Sequence, residues 1–230
     1  MVKIKKTLEE KLVSDDGVSR RGALKTLLSG AALAGAALVL PKEADAKLLC
    51  QDSYHPYYGR LRTCTAGIDG QIAHTSAMYS QQYQSQWCWA ACIEMVFKYH
   101  GYRVPQAKIV QDAWGGQVNM PGTPYQIIRA LNKQWVDENG KKFQSMATAW
   151  GTNAPVAAQE LAADKPLIIG TMGHAMVLTT MTYTGNAYQV VVNNACVLDP
   201  WPGRGLRYLN GQEWTNINFA ARIRTTKLNP

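Results

Sequence analysis

The sequence predicts an α+β domain, with a helical first half packed against an antiparallel sheet built from the second half and a cleft between them. Two observations carry this. From residue 88 to about 163 apolar positions recur at three- and four-residue steps. From residue 166 the chain changes to short runs of Val, Ile, Leu and Thr divided by Gly, Asn and Pro. The 230 residues, 47% of them hydrophobic, suffice for one ordinary domain with an appendage, and no repeat or low-complexity tract appears. The formal charge of +8 comes from scattered Lys and Arg that form no run, which argues against nucleic-acid binding.

In chain order, residues 1–46 read as an export signal. A polar start leads to Ser19-Arg20-Arg21-Gly22-Ala23-Leu24-Lys25, residues 26–40 carry no charge, and the segment closes on Ala44-Asp45-Ala46. The arginine pair resembles the twin-arginine type of bacterial signal. Ala23 stands where that motif usually has Phe, so the general secretion route stays open. Fifteen uncharged residues, many of them Ala and Gly, fall short of the roughly 20 that a membrane span needs. The expectation is cleavage after Ala46 and a periplasmic or secreted protein with no stable membrane anchor.

Residues 47–80 read as an N-terminal extension, rich in Tyr, Gly and Thr, with short strands around Cys50 and Cys64. His55 and His74 are loop histidines there. At residue 88 an amphipathic helix begins, with Cys88, Ala91, Cys92, Met95, Val96 and Tyr99 on its buried face and His100-Gly101 at its end. Pro105 opens a second helix, running to about Trp114, and Thr123-Pro124 a third with Ile127, Ile128 and Leu131 inward. Residues 153–163 make a fourth. Strands follow at 166–169, 174–183, 188–198, 206–209 and 220–226, with Thr184-Gly185-Asn186 as a turn.

Cys88 is the candidate nucleophile. A thiol in the first turn of a helix meets unpaired N–H groups and the positive end of the macrodipole, which favour a thiolate. Its base must be one of four histidines. His174 is preferred because it follows Gly173 at the start of a strand, whereas His100 is a helix-end residue. Folding the hairpin about Gly185 sets His174 opposite residue 196 and leaves Asp199 just past the neighbouring strand. A carboxylate there orients the imidazole; Asn193 and Asn194 compete for the role, and Trp201 beyond Pro200 supplies apolar cover. The Cys88 backbone N–H is one oxyanion donor, with Gln81, Gln82, Gln84 and Gln86 competing to be the second.

The chain has five cysteines, so an oxidising compartment leaves one thiol over if two bridges form. Cys50–Cys64 closes a small loop, and Cys92–Cys196 follows from the assumed hairpin register. No paired C-x-x-C points to zinc, and no metal or cofactor is expected.

Taken together, Gln82, Cys88-Trp89, Gly173-His174-Ala175 and Asp199-Pro200 resemble the papain-like cysteine peptidases. The likeness covers residues 81–210 and is nearest to compact bacterial members, the effector-type and leader-peptide-processing peptidases. It implies a papain-like domain over residues 81–230 that hydrolyses protein or peptide substrates through a Cys88–His174–Asp199 triad and an acyl-thioester. It also selects Gln82, six residues before Cys88, as the oxyanion donor, with Trp89 packing near the site. Two departures stand out: Trp87 directly precedes Cys88, and the step from Cys88 to His174 is shorter than in the plant and lysosomal papains. Amidase, deamidase or acyl-transferase chemistry uses the same groups, and a non-catalytic exported binding module is the remaining alternative. Any inhibitor or immunity partner is unknown.

Overall fold

The computed structural model describes residues 48–68, 77–151 and 153–229. The expected export signal and His74 lie outside them. Nine strands form one antiparallel sheet: β1 (Leu48–His55), β2 (Gly59–Gly67), β3 (Gln134–Val136), β4 (Lys142–Trp150), β5 (Leu167–Thr171), β6 (His174–Gly185), β7 (Val190–Asp199), β8 (Gly205–Tyr208) and β9 (Ile217–Lys227). Among the described residues the main helices are α1 (Cys88–Tyr99), α2 (Gln106–Trp114), α3 (Pro124–Leu131), α4 (Ala154–Ala162) and the short α5 (Gly211–Thr215). The expected α+β class, helices against an antiparallel sheet, is the observed one.

The helix boundaries follow local chemistry. Gly101 past the end of α1 has φ +82°, the left-handed conformation that glycine adopts without steric cost. Thr123 caps α3 with Gln126 in a reciprocal capping box, and Pro124 follows in the first turn, where its missing N–H costs nothing. Asn153 accepts from the Val156 N–H to start α4. The expected single buried face on α1 is too narrow. Every residue from Trp89 to Phe97 is buried, because α1 packs on β5 and β6 while α2 and α3 cover it from outside. At its far end Phe97 meets Phe143 of β4 edge-on at 5.0 Å, and Tyr102 stacks on Phe143 at 3.9 Å.

The sheet branches at β6. One edge of this twelve-residue strand is shared: its first half, from His174 to Leu178, pairs with β5, and its second half, Thr180 to Gly185, pairs with β2. Its opposite edge carries β7, which passes on to β8. Residues 48–67, expected as an irregular extension, are therefore a full hairpin stitched into the sheet. Hydroxyl pairs Thr63–Thr184 and Thr65–Thr182, each at 2.8 Å, add cross-strand bonds between β2 and β6. Cys50 and Cys64 face each other in the hairpin and are bridged, as expected.

The second expected bridge, Cys92–Cys196, does not form; both thiols are free. The assumed register explains the error. The β6–β7 turn is not centred on Gly185, which still pairs with Val190. Asn186 starts the turn instead, its side chain accepting from the N–H groups of Tyr188 and Gln189. That slides β7 along, so Cys196 lies opposite Thr180 rather than His174, while Cys92 is sealed in the core.

Candidate active site

Cys88 is the first residue of α1 and half-buried. The residue before it, Trp87, offers no side-chain cap and no acidic residue occupies the first turn, so neither competes for the orphan N–H groups there. Both flanking tryptophans are buried and point their indoles at one loop: Trp87 Nε1 donates to the Val118 carbonyl at 2.9 Å, and Trp89 Nε1 to that of Met120 at 3.2 Å. Gln86 N–H donates to Asn119 Oδ1 at 2.9 Å, and Asn119 returns a bond to Ser85 Oγ. Gly122 lies so close under Trp89 that an added Cβ would fall 2.4 Å from its ring. The helix start is thus gripped on both sides of the thiol.

His174 opens β6 after a two-residue turn in which Met172 (φ 51°) and Gly173 (φ 78°) are both left-handed, and which pairs Thr171 with His174. Glycine meets this geometry freely; Met172 does so at a steric cost. Asp199 ends β7, fully buried. The two join through His174 Nε2 and Asp199 Oδ1 at 2.7 Å, and the Cys88 side chain acts on the same imidazole. With Nε2 committed to Asp199, Nδ1 is the other nitrogen of the ring. Trp201 donates its N–H to Asp199 Oδ1 at 2.9 Å and sets its ring edge-on to the imidazole at 6.2 Å, as the expected cover.

Asp199 Oδ2 accepts from Arg207 Nε at 2.8 Å. Burial pushes this carboxyl up, but the bonds from His174, the Trp201 N–H and Arg207 outweigh it, and its pKa falls to about 2. For His174, burial favours the neutral ring, yet hydrogen bonds to Asp199 and Cys88 and the charges of both push its pKa up to about 9. The site is therefore built to keep an imidazolium beside a carboxylate across the neutral range. Cys92, one turn inside, differs: burial drives its thiol well up, reinforced by Cys88 and Asp199.

The expected site residues Cys88, His174 and Asp199 come together. Gln82 lies in the same region, its N–H bonded to the Pro200 carbonyl at 2.9 Å. Its side-chain amide is engaged: Nε2 donates to the carbonyls of Gln84 and Ser85, each at 2.9 Å, and Oε1 is buried without a partner. Buried Gln106 holds the same segment, accepting from the Tyr83 N–H and donating to the Gln81 carbonyl. Asn193 bonds Thr184 and Asn194 pairs with Thr182, both well along β7 from His174. His55 accepts from N–H groups of its own turn, and His100 sits at the C-cap of α1.

Sequence reasoning missed Arg207, Glu213 and the 118–122 loop. Arg207 reaches Asp199 only through the β7–β8 register, in which Asp199 faces Gly205. Glu213 had a readable signal, the Asn210-x-x-Glu213 capping box of α5. Among the described residues no cluster of His, Cys, Asp or Glu could hold a metal.

Comparison with known proteins bears on what this geometry serves. The sequence profile of the Peptidase_C39 like family matches residues 74–220. Solved structures with some similarity include the peptidase domain of Streptococcus ComA, a bi-functional ABC transporter involved in quorum sensing. It is 16% identical, with 65% of this chain and 97% of that one covered and a TM-score of 0.44. Another is UfSP from C. elegans, 16% identical, with 80% of this chain and 38% of that one covered and a TM-score of 0.43. No curated protein sequence matches the chain.

Proposed function

The chain belongs to the Peptidase_C39-like family, and from that premise we propose that it is an exported, papain-like cysteine peptidase acting through Cys88, His174 and Asp199. The observation that carries this reading is the continuous chain of contacts from the helix-start thiol through His174 to a buried, ionised Asp199. Cys88 Sγ, as thiolate, attacks the peptide carbonyl while the charge developing on its oxygen meets the Cys88 N–H at the helix start. Gln82 is the second donor, which requires its amide to share one of the N–H bonds now given to Gln84 and Ser85. The His174 imidazolium protonates the leaving amine as the C–N bond breaks, leaving an acyl-thioester. Neutral His174 then takes a proton from water, the hydroxide equivalent attacks the thioester, and the acid and the Cys88–His174 ion pair are released.

Export is proposed from the three-part layout of residues 1–46, with the twin-arginine route as the reading of Arg20-Arg21. The Cys50–Cys64 bridge supports an oxidising destination. Among the described residues no helix is long and apolar enough to cross a membrane. Residues 81–230 are proposed as the peptidase domain and protein or peptide chains as the substrate class.

The test is hydrolysis of casein by the mature protein together with iodoacetamide labelling and peptide mapping. Wild type is expected to cleave casein and to label near neutral pH at Cys88 alone. Cys92 is buried, and burial raises the Cys196 thiol despite bonds from Thr179 and the Val197 N–H. Cys88→Ala is expected to abolish both signals, and a variant that still cleaves casein would sink the reading. An amine acceptor in the same assay separates hydrolysis from acyl transfer.

A further inference from the structure

We propose that Arg207 is a positioning residue for this site, acting on Asp199 both as a clamp and as the counter-charge that sets the pH range in which the Cys88–His174 pair is armed. The inference rests on the cysteine-peptidase reading above and assigns a role outside the triad. Arg207 Nε donates to Asp199 Oδ2 at 2.8 Å, leaving Oδ1 to His174 and the Trp201 N–H. The rest of the guanidinium is fixed as well. Nη1 and Nη2 fork onto Glu213 Oε2 and Oε1 at 2.9 and 2.6 Å, and Nη1 also donates to the Tyr208 carbonyl. Glu213 is itself held by the reciprocal Asn210 capping box at the start of α5. A carboxylate anchored at one oxygen by a clamped fork cannot rotate away from the imidazole on the other.

The electrostatic half follows from which charges face Asp199. His174 comes from β6, Cys92 from α1 with Cys88 acting on His174, Tyr79 from the segment before α1, and Glu213 stands behind Arg207. Arg204 approaches Oδ2 only to 3.7 Å with a side chain 56% exposed, so solvent screens it. Arg207, 20% exposed, is the close and permanently charged cation. Deleting a positive charge raises the pKa of every neighbouring acid, carboxyl and imidazolium alike; deleting a negative charge lowers it.

The experiment follows two readouts that need no substrate, the pH dependence of Cys88 alkylation by iodoacetamide and the NMR titration of the His174 imidazole. It compares wild type, Arg207→Met, Arg207→Lys and Glu213→Gln. Arg207→Met is expected to move the acid limb of alkylation and the imidazole midpoint upward by about 1 pH unit. Arg207→Lys keeps the charge and loses the fork, so the midpoints stay while casein hydrolysis falls about tenfold. Glu213→Gln is expected to shift both midpoints downward by a smaller amount. Unchanged midpoints in Arg207→Met, or Arg207→Lys shifting as far as Arg207→Met, overturn the proposal. If Arg207→Met does not fold, Glu213→Gln decides: a downward shift supports the proposal, and no shift or an upward one overturns it. Failure of wild type to cleave casein would count against the peptidase reading alone, since the alkylation and imidazole shifts are read without turnover.

Discussion

The helix side of the site, which presents Cys88, is held by neutral contacts, whereas the sheet side, which presents His174, is held by charge. Around Cys88 the grip consists of indole and amide hydrogen bonds from Trp87, Trp89 and Gln86 to the 118–120 loop, with Gly122 flush against Trp89. Around His174 an alternating line of charges runs through Asp199 and Arg207 to Glu213. Neutral packing is indifferent to pH and sensitive to volume; a charged line is the reverse. Cys88 is therefore placed by shape, and His174 by electrostatics.

The strongest way to break this contrast is Asp199→Asn. It removes the anion between two cations, and casein hydrolysis is expected to fall by roughly 10³-fold. Leaving Arg207 with Glu213 alone also costs stability, on the order of 3 kcal/mol. The pH dependence of thermal melting should change with it. In wild type Asp199, depressed to about 2, stabilises the fold above its ordinary value of 3.8, and that contribution is lost as pH falls through 2. His174, raised to about 9, contributes stability fully present below its ordinary value of 6.5 and lost as pH climbs through 9. Both losses should flatten in Asp199→Asn; a melting profile parallel to wild type would remove the charged half of the contrast.

On the helix side, Gly122→Ala drives a methyl into the Trp89 ring and is expected to cost about 1–3 kcal/mol in urea unfolding. Its signature is reduced kcat with both pH limbs of hydrolysis left in place. Trp87→Phe is smaller again. It keeps most of the buried ring and drops the bond to Val118, for about 1 kcal/mol and a modest loss of rate at unchanged pH optimum. A shifted pH profile in either variant would show that the two sides are not independent.

The helix side was also the more legible in sequence. An apolar pattern opening on a cysteine, stop signals at His100-Gly101 and a start signal at Thr123-Pro124 are all local, and local chemistry survives tertiary context. Asp199 lies beside His174 despite the wrong register, because a residue ending a strand beside the start of its neighbour stays near it when the pairing slides. Cys92–Cys196 had no such tolerance and failed. β3 and β4 were missed entirely. β4 buries Phe143 and Ser145 in alternation, and a buried serine leaves no apolar rhythm to read. β1 was read only as a short strand around Cys50, since all but its first residue are exposed and no inward face marks its length. Gln82 was chosen by resemblance, and nothing in the spacing of the four glutamines foretold that its amide would fold back on Gln84 and Ser85.

That exposed first strand has a bearing on how the protein stays in solution. Residues 180–185 of β6 would be a bare edge, ready to pair with a neighbouring molecule, were β2 not laid along them. The role of edge then passes to β1, where Gln51, Asp52 and Ser53 are all exposed and Asp52 pairs with Arg60 and Arg62 of β2. Polar and charged side chains make a poor template for a stray strand. The Cys50–Cys64 bond fastens this cover in register, so the guard is completed only where thiols are oxidised. Colloidal safety and redox state are thereby coupled through one bond between residues 14 positions apart.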